Sequence, residues 1–387
     1  MAGDDLINDP YGVYQRLRSA SPVHRITGPD GSPAWIVTRY DDVRQALQDS
    51  RLSLDKRHST GGYAGFALPP ALDANLLNMD PPDHTRLRRL VGSAFTPGRI
   101  QRLREPIRKT AEQLLDPLGE HGRIDLIPSY AAPLAITVIC DLLGVPDHHR
   151  VDFRGWTHAL VAPDPARPAA TREAVAAMLG FFTELLADKR RRPADDLLSD
   201  LIGVREASDA LGDDELMSLA FLILLAGFEN TVHLLGNAVL ALLRHPRQLA
   251  LVREDPALLP GAVEELARFD GPALLAIRRF ATEDLVLGGV TVGAGQTVLL
   301  SLAAANRDPE RFEDPDRLDI GRTATGHLAL GLGIHYCLGA TLARTETEIA
   351  LATLFARLPD LRVAADVEPR WRPSLRSRSL TALQVDY

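Results

Sequence analysis

The chain has 387 residues, 45% hydrophobic and 24% charged, a balance ordinary for a globular protein in water and long enough to bury a large core. Its formal net charge of −8 argues against nucleic acid as a partner. The two cysteines, Cys140 and Cys337, are too few for a disulfide framework, and no C-x-x-C offers a zinc site.

Met1-Ala2-Gly3-Asp4-Asp5 shows neither a basic stretch nor an apolar one, so no secretory signal is read and the cytoplasm is the expected compartment. Residues 11–20 have helical spacing, 35–38 read as a strand and 41–49 as a short helix. Residues 58–79, with Gly61, Gly62, Gly65, Pro69 and Pro70, read as a long loop. Its apolar side chains (Tyr63, Phe66, Leu68, Leu72, Leu76 and Leu77) suit a cover over something apolar. Asp80-Pro81-Pro82-Asp83 opens a helix on which His84 and Arg88 share a face. Helical patterns continue through 99–118, 128–144, 146–160 and 171–192. Pro163, Pro165 and Pro168 interrupt the last two, as in a helix–loop–helix lid. Cys140, in a mostly apolar run, reads as a buried small hydrophobe.

Gly212-Asp213-Asp214-Glu215 opens the longest apolar helix and Pro246 stops it. At roughly 30 residues it would run about 45 Å. Glu229, Asn230 and His233 in its middle argue for a buried helix and against a membrane span. Gly227 weakens its ladder. A helix follows at 259–269 and strands at 278–300, with a hairpin signal at 285–292. Residues 306–329 read as irregular coil, 338–357 as a helix, and 361–363 and 380–385 as short strands. The chain is read as mainly α with small β-sheets, one domain over 1–387, without repeats.

Leu330-Gly331-Leu332-Gly333-Ile334-His335-Tyr336-Cys337-Leu338-Gly339 places Cys337 where a glycine-rich loop turns into a helix. Unpaired N–H groups and the helix dipole are expected to lower its pKa there, giving a thiolate suited to act as nucleophile or metal ligand. His335 is a poor catalytic partner. On a helix the two residues face apart, and on an extended segment they lie about 6.6 Å apart along the chain.

This stretch, with Leu342-Ala343-Arg344 after it, resembles the haem-binding loop of cytochromes P450. Ala226-Gly227-Phe228-Glu229, Glu265-Leu266-Ala267-Arg268 and Pro315-Asp316-Arg317-Leu318 follow the family's order. The resemblance runs from the first helix to the last strands and is nearest the bacterial soluble class, such as actinobacterial macrolide and polyketide hydroxylases. It implies the triangular haem-thiolate fold around a long central helix. It implies haem b, with Cys337 as the iron's axial thiolate and Gly339 among the glycines that let backbone amides reach the sulfur. It places His84, Arg88, Arg279 and His335 at the haem propionates, and Glu265, Arg268 and Arg317 in a buried structural cluster that fixes the coil before the loop. Glu229 is the family's acid. Asn230 stands where the family has a proton-relaying Thr, and Leu330 where it has Phe. Asn can donate a hydrogen bond but is no acid. Either it orients water, or a substrate hydroxyl completes the relay, or the exchange is without consequence. Leu222, Leu225 and Ala226, with Leu274, Leu275, Ile277 and Leu375, are the implied substrate contacts.

The implied activity is insertion of one oxygen atom from O2 into a bulky, mostly apolar natural product, of polyketide, macrolide or steroid-like kind. The alternatives are oxidative coupling and a non-catalytic haem-thiolate sensor. Electrons from NAD(P)H are expected through ferredoxin reductase and ferredoxin. Arg86, Arg89, Arg99, Arg102 and Arg104 offer a basic docking face for an acidic ferredoxin. The expected state is a monomer with no nucleic-acid or membrane partner.

Overall fold

The computed structural model describes residues 9–28, 30–61, 72, 75–161, 167–206, 209–323 and 326–387. Most of the apolar loop expected at 58–79, and Pro163 and Pro165 of the expected lid, lie outside the described residues.

The helices, in order, are α1 (Pro10–Ala20), α2 (Tyr40–Ala46), α3 (Asp83–Gly92), α4 (Pro97–Leu115), α5 (Ala132–Leu143), α6 (Arg150–Val161), α7 (Pro168–Arg191) and α8 (Leu197–Gly203). They continue with α9 (Asp213–Arg244), α10 (Pro246–Glu254), α11 (Leu259–Asp270), α12 (Leu302–Asn306) and α13 (Ala340–Arg357). Local chemistry sets several starts: the Asp9 carboxylate accepts from Gly12 N, the Thr96 hydroxyl from Arg99 N and the Asp196 carboxylate from Ser199 N. Proline occupies the first turn of α1, α4, α7, α10 and α11, where a missing N–H costs no helical hydrogen bond.

The main sheet has five strands. β1 (Val23–Thr27) pairs antiparallel with β2 (Pro33–Val37), and β3 (Leu52–Ser53) forms the far edge. Small pairs follow: β4 (Arg123–Asp125), and β5 (Arg205–Glu206) with β6 (Asp209–Ala210). β7 (Arg279–Ala281) lies beside β3, and β8 (Leu285–Leu287) and β9 (Val290–Val292) form the expected hairpin. β10 (Thr297–Leu300) joins β2 in parallel and β7 antiparallel, completing the order β1-β2-β10-β7-β3. β11 (Arg362–Val363), β12 (Arg370–Trp371), β13 (Leu380–Ala382) and β14 (Gln384–Asp386) close the chain, β12 pairing with β13 and β14 lying between β11 and β4.

One large apolar core joins α4, α5, α9, α11 and α13; two smaller clusters line the main sheet. α9 is its axis. Its 32 residues span about 48 Å. Glu215 reaches back to accept from Gly212 N at 2.8 Å, closing the first turn. The helix is long and apolar enough to cross a membrane, but 67% of its most apolar window is buried inside the fold. It is continuous through Gly227, so the glycine is not read as a break. A Cβ there would lie 2.6 Å from Ile139 Cδ1, so its role is the close approach of α5. Cys140, on α5, is fully buried as expected, and burial pushes its thiol up to about 12.

Glu346 on α13 is a buried carboxyl that no described residue satisfies at Oε1, and burial lifts it to about 8 from 4.5. The folded chain therefore holds this proton more tightly than the unfolded one. The resulting stabilisation is complete below pH 4.5 and is lost as the pH rises through 8. Glu346→Gln keeps the shape and removes the titration. It is expected to match the parent near pH 4 and to exceed it by on the order of 5 kcal/mol at pH 9 in urea unfolding. A pH-independent difference would contradict this.

Candidate active site

Cys337 sits at the end of a tightly wound loop. Gly331 and Gly333 both have φ of 73°, a conformation that favours glycine. At Gly333 a Cβ would also lie 3.3 Å from Gln48 Cγ, a tight contact. Gly331 N donates to Leu328 O and Cys337 N to Leu330 O, both at 2.9 Å. The sulfur accepts from Gly339 N, and α13 begins at Ala340, three residues beyond Cys337. The expected lowering of the thiol pKa is corrected here. Burial dominates and raises it, while the Gly339 N–H, Arg88 and Arg344 only offset that. A sulfur desolvated in this way is a poor free nucleophile and gains its anion from a bound cation.

His84, Arg88, Arg279 and His335 come together beside this loop. α3 carries His84 and Arg88, β7 carries Arg279, and the loop carries His335. The His84 and His335 rings meet at a tilt of 54° with centroids 4.1 Å apart. Burial first, then the fields of His84 and Arg279, push His335 down to about 3. Burial and Arg88 also lower His84, and burial brings Arg279 down to about 10. Arg88 Nη2 donates to Tyr336 O at 2.6 Å, and Arg279 donates to the carbonyls of Leu52 and Leu47 at 3.1 and 3.2 Å. Yet His84 Nδ1 and Nε2, His335 Nε2 and Arg279 Nε are buried with no partner among the described residues. Buried polar nitrogens that no acceptor satisfies fit an anion from outside the polypeptide, and the two carboxylates of haem meet that need.

Across α9, burial is nearly complete except for one strip. Leu222, Leu225, Ala226, Glu229 and Asn230 are half-buried or exposed, at helical spacing, in the middle of an otherwise covered rod. Such a strip borders a cavity. Arg372 Nη1 donates to Glu229 Oε1 at 3.0 Å, and Asn230 Nδ2 donates back to Ala226 O at 3.3 Å. Leu275, Ile277 and Leu375 are likewise half-buried. Arg376 O accepts from Leu274 N and Leu275 N, joining the turn that carries Leu375 to this segment. Leu274 is corrected: it packs into the sheet core with Tyr14, Ile36 and Leu299. Along an extended segment, Leu275 and Ile277 share one face and Leu274 takes the other.

A second correction concerns the buried cluster. Glu265 and Arg268 are paired at 2.7 and 2.8 Å with neither side chain exposed. Arg317 does not join them; its side chain is 64% exposed and pairs with Asp314 and Asp319. Arg322 takes its place, Nε to Glu265 Oε1 at 3.2 Å. The expected basic face is also largely neutralised. Arg86 binds Asp209 and Glu215, Arg99 binds Asp200, and Arg104 binds Glu348.

Sequence reasoning missed a brace against the loop. Arg344 and His327 both hold Glu264, and Arg344 Nη1 donates to Tyr336 Oη at 3.0 Å. Burial works against the Glu264 charge, but the hydrogen bonds from His327 and Arg344 hold it down to about 2. Leu330 borders a cleft of about 340 Å³ beside this brace. Glu264 directly precedes the E-x-x-R run, which was the available signal.

Sealed donors and a buried sulfur that needs a cation fit an anionic group that carries a metal ion, as haem does. The family described as cytochrome P450 matches residues 167–359. Cytochrome P450 107B1 of Saccharopolyspora erythraea is 46% identical over 391 residues, covering 99% of this chain and 96% of that one. The 6-deoxyerythronolide B hydroxylase of the same organism is 42% identical, covering 100% and 98%. The tirandamycin C-bound P450 monooxygenase TamI superposes with a TM-score of 0.90 at 44% identity, covering 99% and 98%. The chain belongs to the cytochrome P450 family. Its cofactor is haem b, its co-substrate O2, its electrons come ultimately from NAD(P)H, and its activity is that of a monooxygenase.

Proposed function

We propose that this monooxygenase places one oxygen atom on a bulky, mostly apolar natural product of the polyketide or macrolide kind. The observation that carries the reading is the bare strip of Leu222, Leu225 and Ala226 on a helix otherwise buried, with Leu275, Ile277 and Leu375 as further apolar wall. One similar protein is named the 6-deoxyerythronolide B hydroxylase and another is the tirandamycin C-bound monooxygenase TamI, and this supports a natural-product substrate.

Cys337 would hold the haem iron, with the Gly339 N–H tuning its sulfur, and His84, Arg88, Arg279 and His335 would hold the propionates. Bound haem supplies the activation of dioxygen. The chain's own work is to hold the substrate and to deliver protons. Glu229 is the acid. Asn230 spends one N–H on Ala226 O, which leaves a second N–H donor and the Oδ1 acceptor. It can orient a water or a substrate hydroxyl, and cannot itself give a proton. Asn230→Thr is therefore expected to lower product formed per electron consumed and to cut the rate about tenfold. Unchanged coupling and rate would remove Asn230 from the machinery.

The same departure from Thr favours oxidative coupling as a second reading. Electrons reach a single catalytic domain, acting as a cytoplasmic monomer, through a ferredoxin and its reductase. The test is turnover with ferredoxin, ferredoxin reductase and NAD(P)H, on polyketides that shift the haem from low to high spin. An oxygenated product supports the proposal. A coupled product without inserted oxygen supports the second reading, and binding without electron use marks a sensor.

A further inference from the structure

The Glu264 carboxylate holds both ends of the cysteine loop. At the exit, Arg344 of α13 gives Nε to Glu264 Oε1 at 2.5 Å and Nη2 to Oε2 at 3.0 Å. Its Nη1 donates at 3.0 Å to the hydroxyl of Tyr336, the residue before Cys337. At the entrance, His327 Nε2 lies 3.1 Å from Glu264 Oε2. His327 Nδ1 accepts from Ala329 N at 3.2 Å, which assigns to Nε2 the proton that meets the carboxylate. Between these anchors Leu330, Gly331 and Leu332 open on the cleft of about 340 Å³. On that side hydrogen bonds hold the loop. Glu264 has 30% of its side chain exposed and faces the loop, while its neighbour Glu265 is sealed against Arg268.

We propose that Glu264 is a positioning residue for the iron-bound sulfur: through Arg344 it fixes Tyr336, and it balances the Arg344 charge so that the sulfur's electron density stays available to iron. The two parts use different properties of the same pair. The fork from Arg344 sets direction as well as distance, and so aims Nη1 at the Tyr336 hydroxyl. Arg88 holds the Tyr336 carbonyl, so the residue is pinned at side chain and backbone, one peptide bond from Cys337. The charge of Arg344 also reaches the Cys337 sulfur. A cation there draws electron density from the sulfur and favours the reduced iron, and an adjacent carboxylate cancels much of that pull. Glu264 thereby keeps the haem potential low. His327 extends its hold to Ala329, so a single side chain ties the entrance and the exit of the loop. This rests on the reading of Cys337 as the haem ligand and adds a residue that acts on it through Arg344 and Tyr336.

The test uses haem-loaded enzyme, a redox titration followed by absorbance, and the carbon monoxide band in mild urea. Glu264→Gln keeps the shape and leaves Arg344 unbalanced. It is expected to raise the equilibrium constant for one-electron reduction about tenfold, a shift of about 59 mV. Glu264→Gln with Arg344→Gln removes both charges and is expected to return that constant to within about threefold of the parent. Tyr336→Phe keeps both charges and loses the bond to Arg344. It is expected to leave the potential near the parent's and to lose the red-shifted band about twofold faster or more. An unmoved potential in Glu264→Gln overturns the charge balance, and so does a double variant as shifted as the single one. A band as durable in Tyr336→Phe as in the parent overturns the fixing of Tyr336. If Glu264→Gln does not retain haem, Arg344→Gln alone decides. Its unbalanced carboxylate is expected to lower the constant about tenfold, and an unmoved or raised potential overturns the proposal. Absence of the red-shifted band in the parent sinks the Cys337 ligation instead.

Discussion

Cys337→Ser is expected to abolish the red-shifted band of the reduced carbon monoxide complex and to lower turnover by on the order of a thousandfold, with the chain still folded. A thousandfold corresponds to about 4 kcal/mol of transition-state stabilisation. The hydroxyl nearly matches the thiol in size, and the loop is held by bonds the substitution leaves in place. Cys337 N still donates to Leu330 O, and Gly331 N to Leu328 O. Arg88 still binds Tyr336 O. What is lost, on the proposed ligation, is the sulfur's electron donation to iron. Cys140→Ser provides the contrast. That residue is fully buried in the helical core, so a hydroxyl there is expected to cost about 1–3 kcal/mol while leaving the band unchanged. Spectra of the two variants, with unfolding midpoints, check both halves. A normal band in well-folded, haem-loaded Cys337→Ser would remove the residue from the iron.

The sequence periodicity located the long helices because apolar spacing at 3.6 residues persists through them. α9 is the clearest case, with acids at its start and Pro246 beyond its end. The Cys337 loop was legible because its glycines are dictated by backbone geometry, and both Gly331 and Gly333 have positive φ. Contacts between distant segments were not legible. Nothing local in the coil at 306–329 says which arginine turns inward, and the fold chooses Arg322 over Arg317. The neutralised arginines have partners far away in sequence, as with Arg86 and Asp209. Leu274 was misplaced because a run of apolar residues does not reveal which parity faces the core.

Arg268→Ala is expected to destabilise the protein by about 3–5 kcal/mol and to release haem. Arg268 and Glu265 have no exposed side-chain surface. Besides Glu265, the guanidinium donates to Asn306 O and Pro315 O at 2.8 and 2.9 Å. Truncation leaves a buried carboxylate with Arg322 and Asp319 N, and frees carbonyls at the end of α12 and in the coil that follows. The damage has a path to the metal site. Asn306 Oδ1 accepts from Leu328 N at 2.7 Å, and Leu328 O in turn accepts from Gly331 N in the cysteine loop. Arg322→Ala is expected to reproduce part of the loss, because it removes both the Nε bond to Glu265 and the donors to Glu313 O and Asp314 O. Arg317→Ala is expected to change stability by no more than about 0.5 kcal/mol, as its ion pairs lie in solvent. Thermal unfolding and the retained haem fraction of the three variants decide the order. If Arg317→Ala were the damaging one and Arg322→Ala neutral, the inward-facing arginine would be wrongly assigned. The cluster matters to a site it never touches: if Asn306 shifts, Leu328 loses its partner, and the turn that presents Cys337 loses the anchor it makes through Gly331 N.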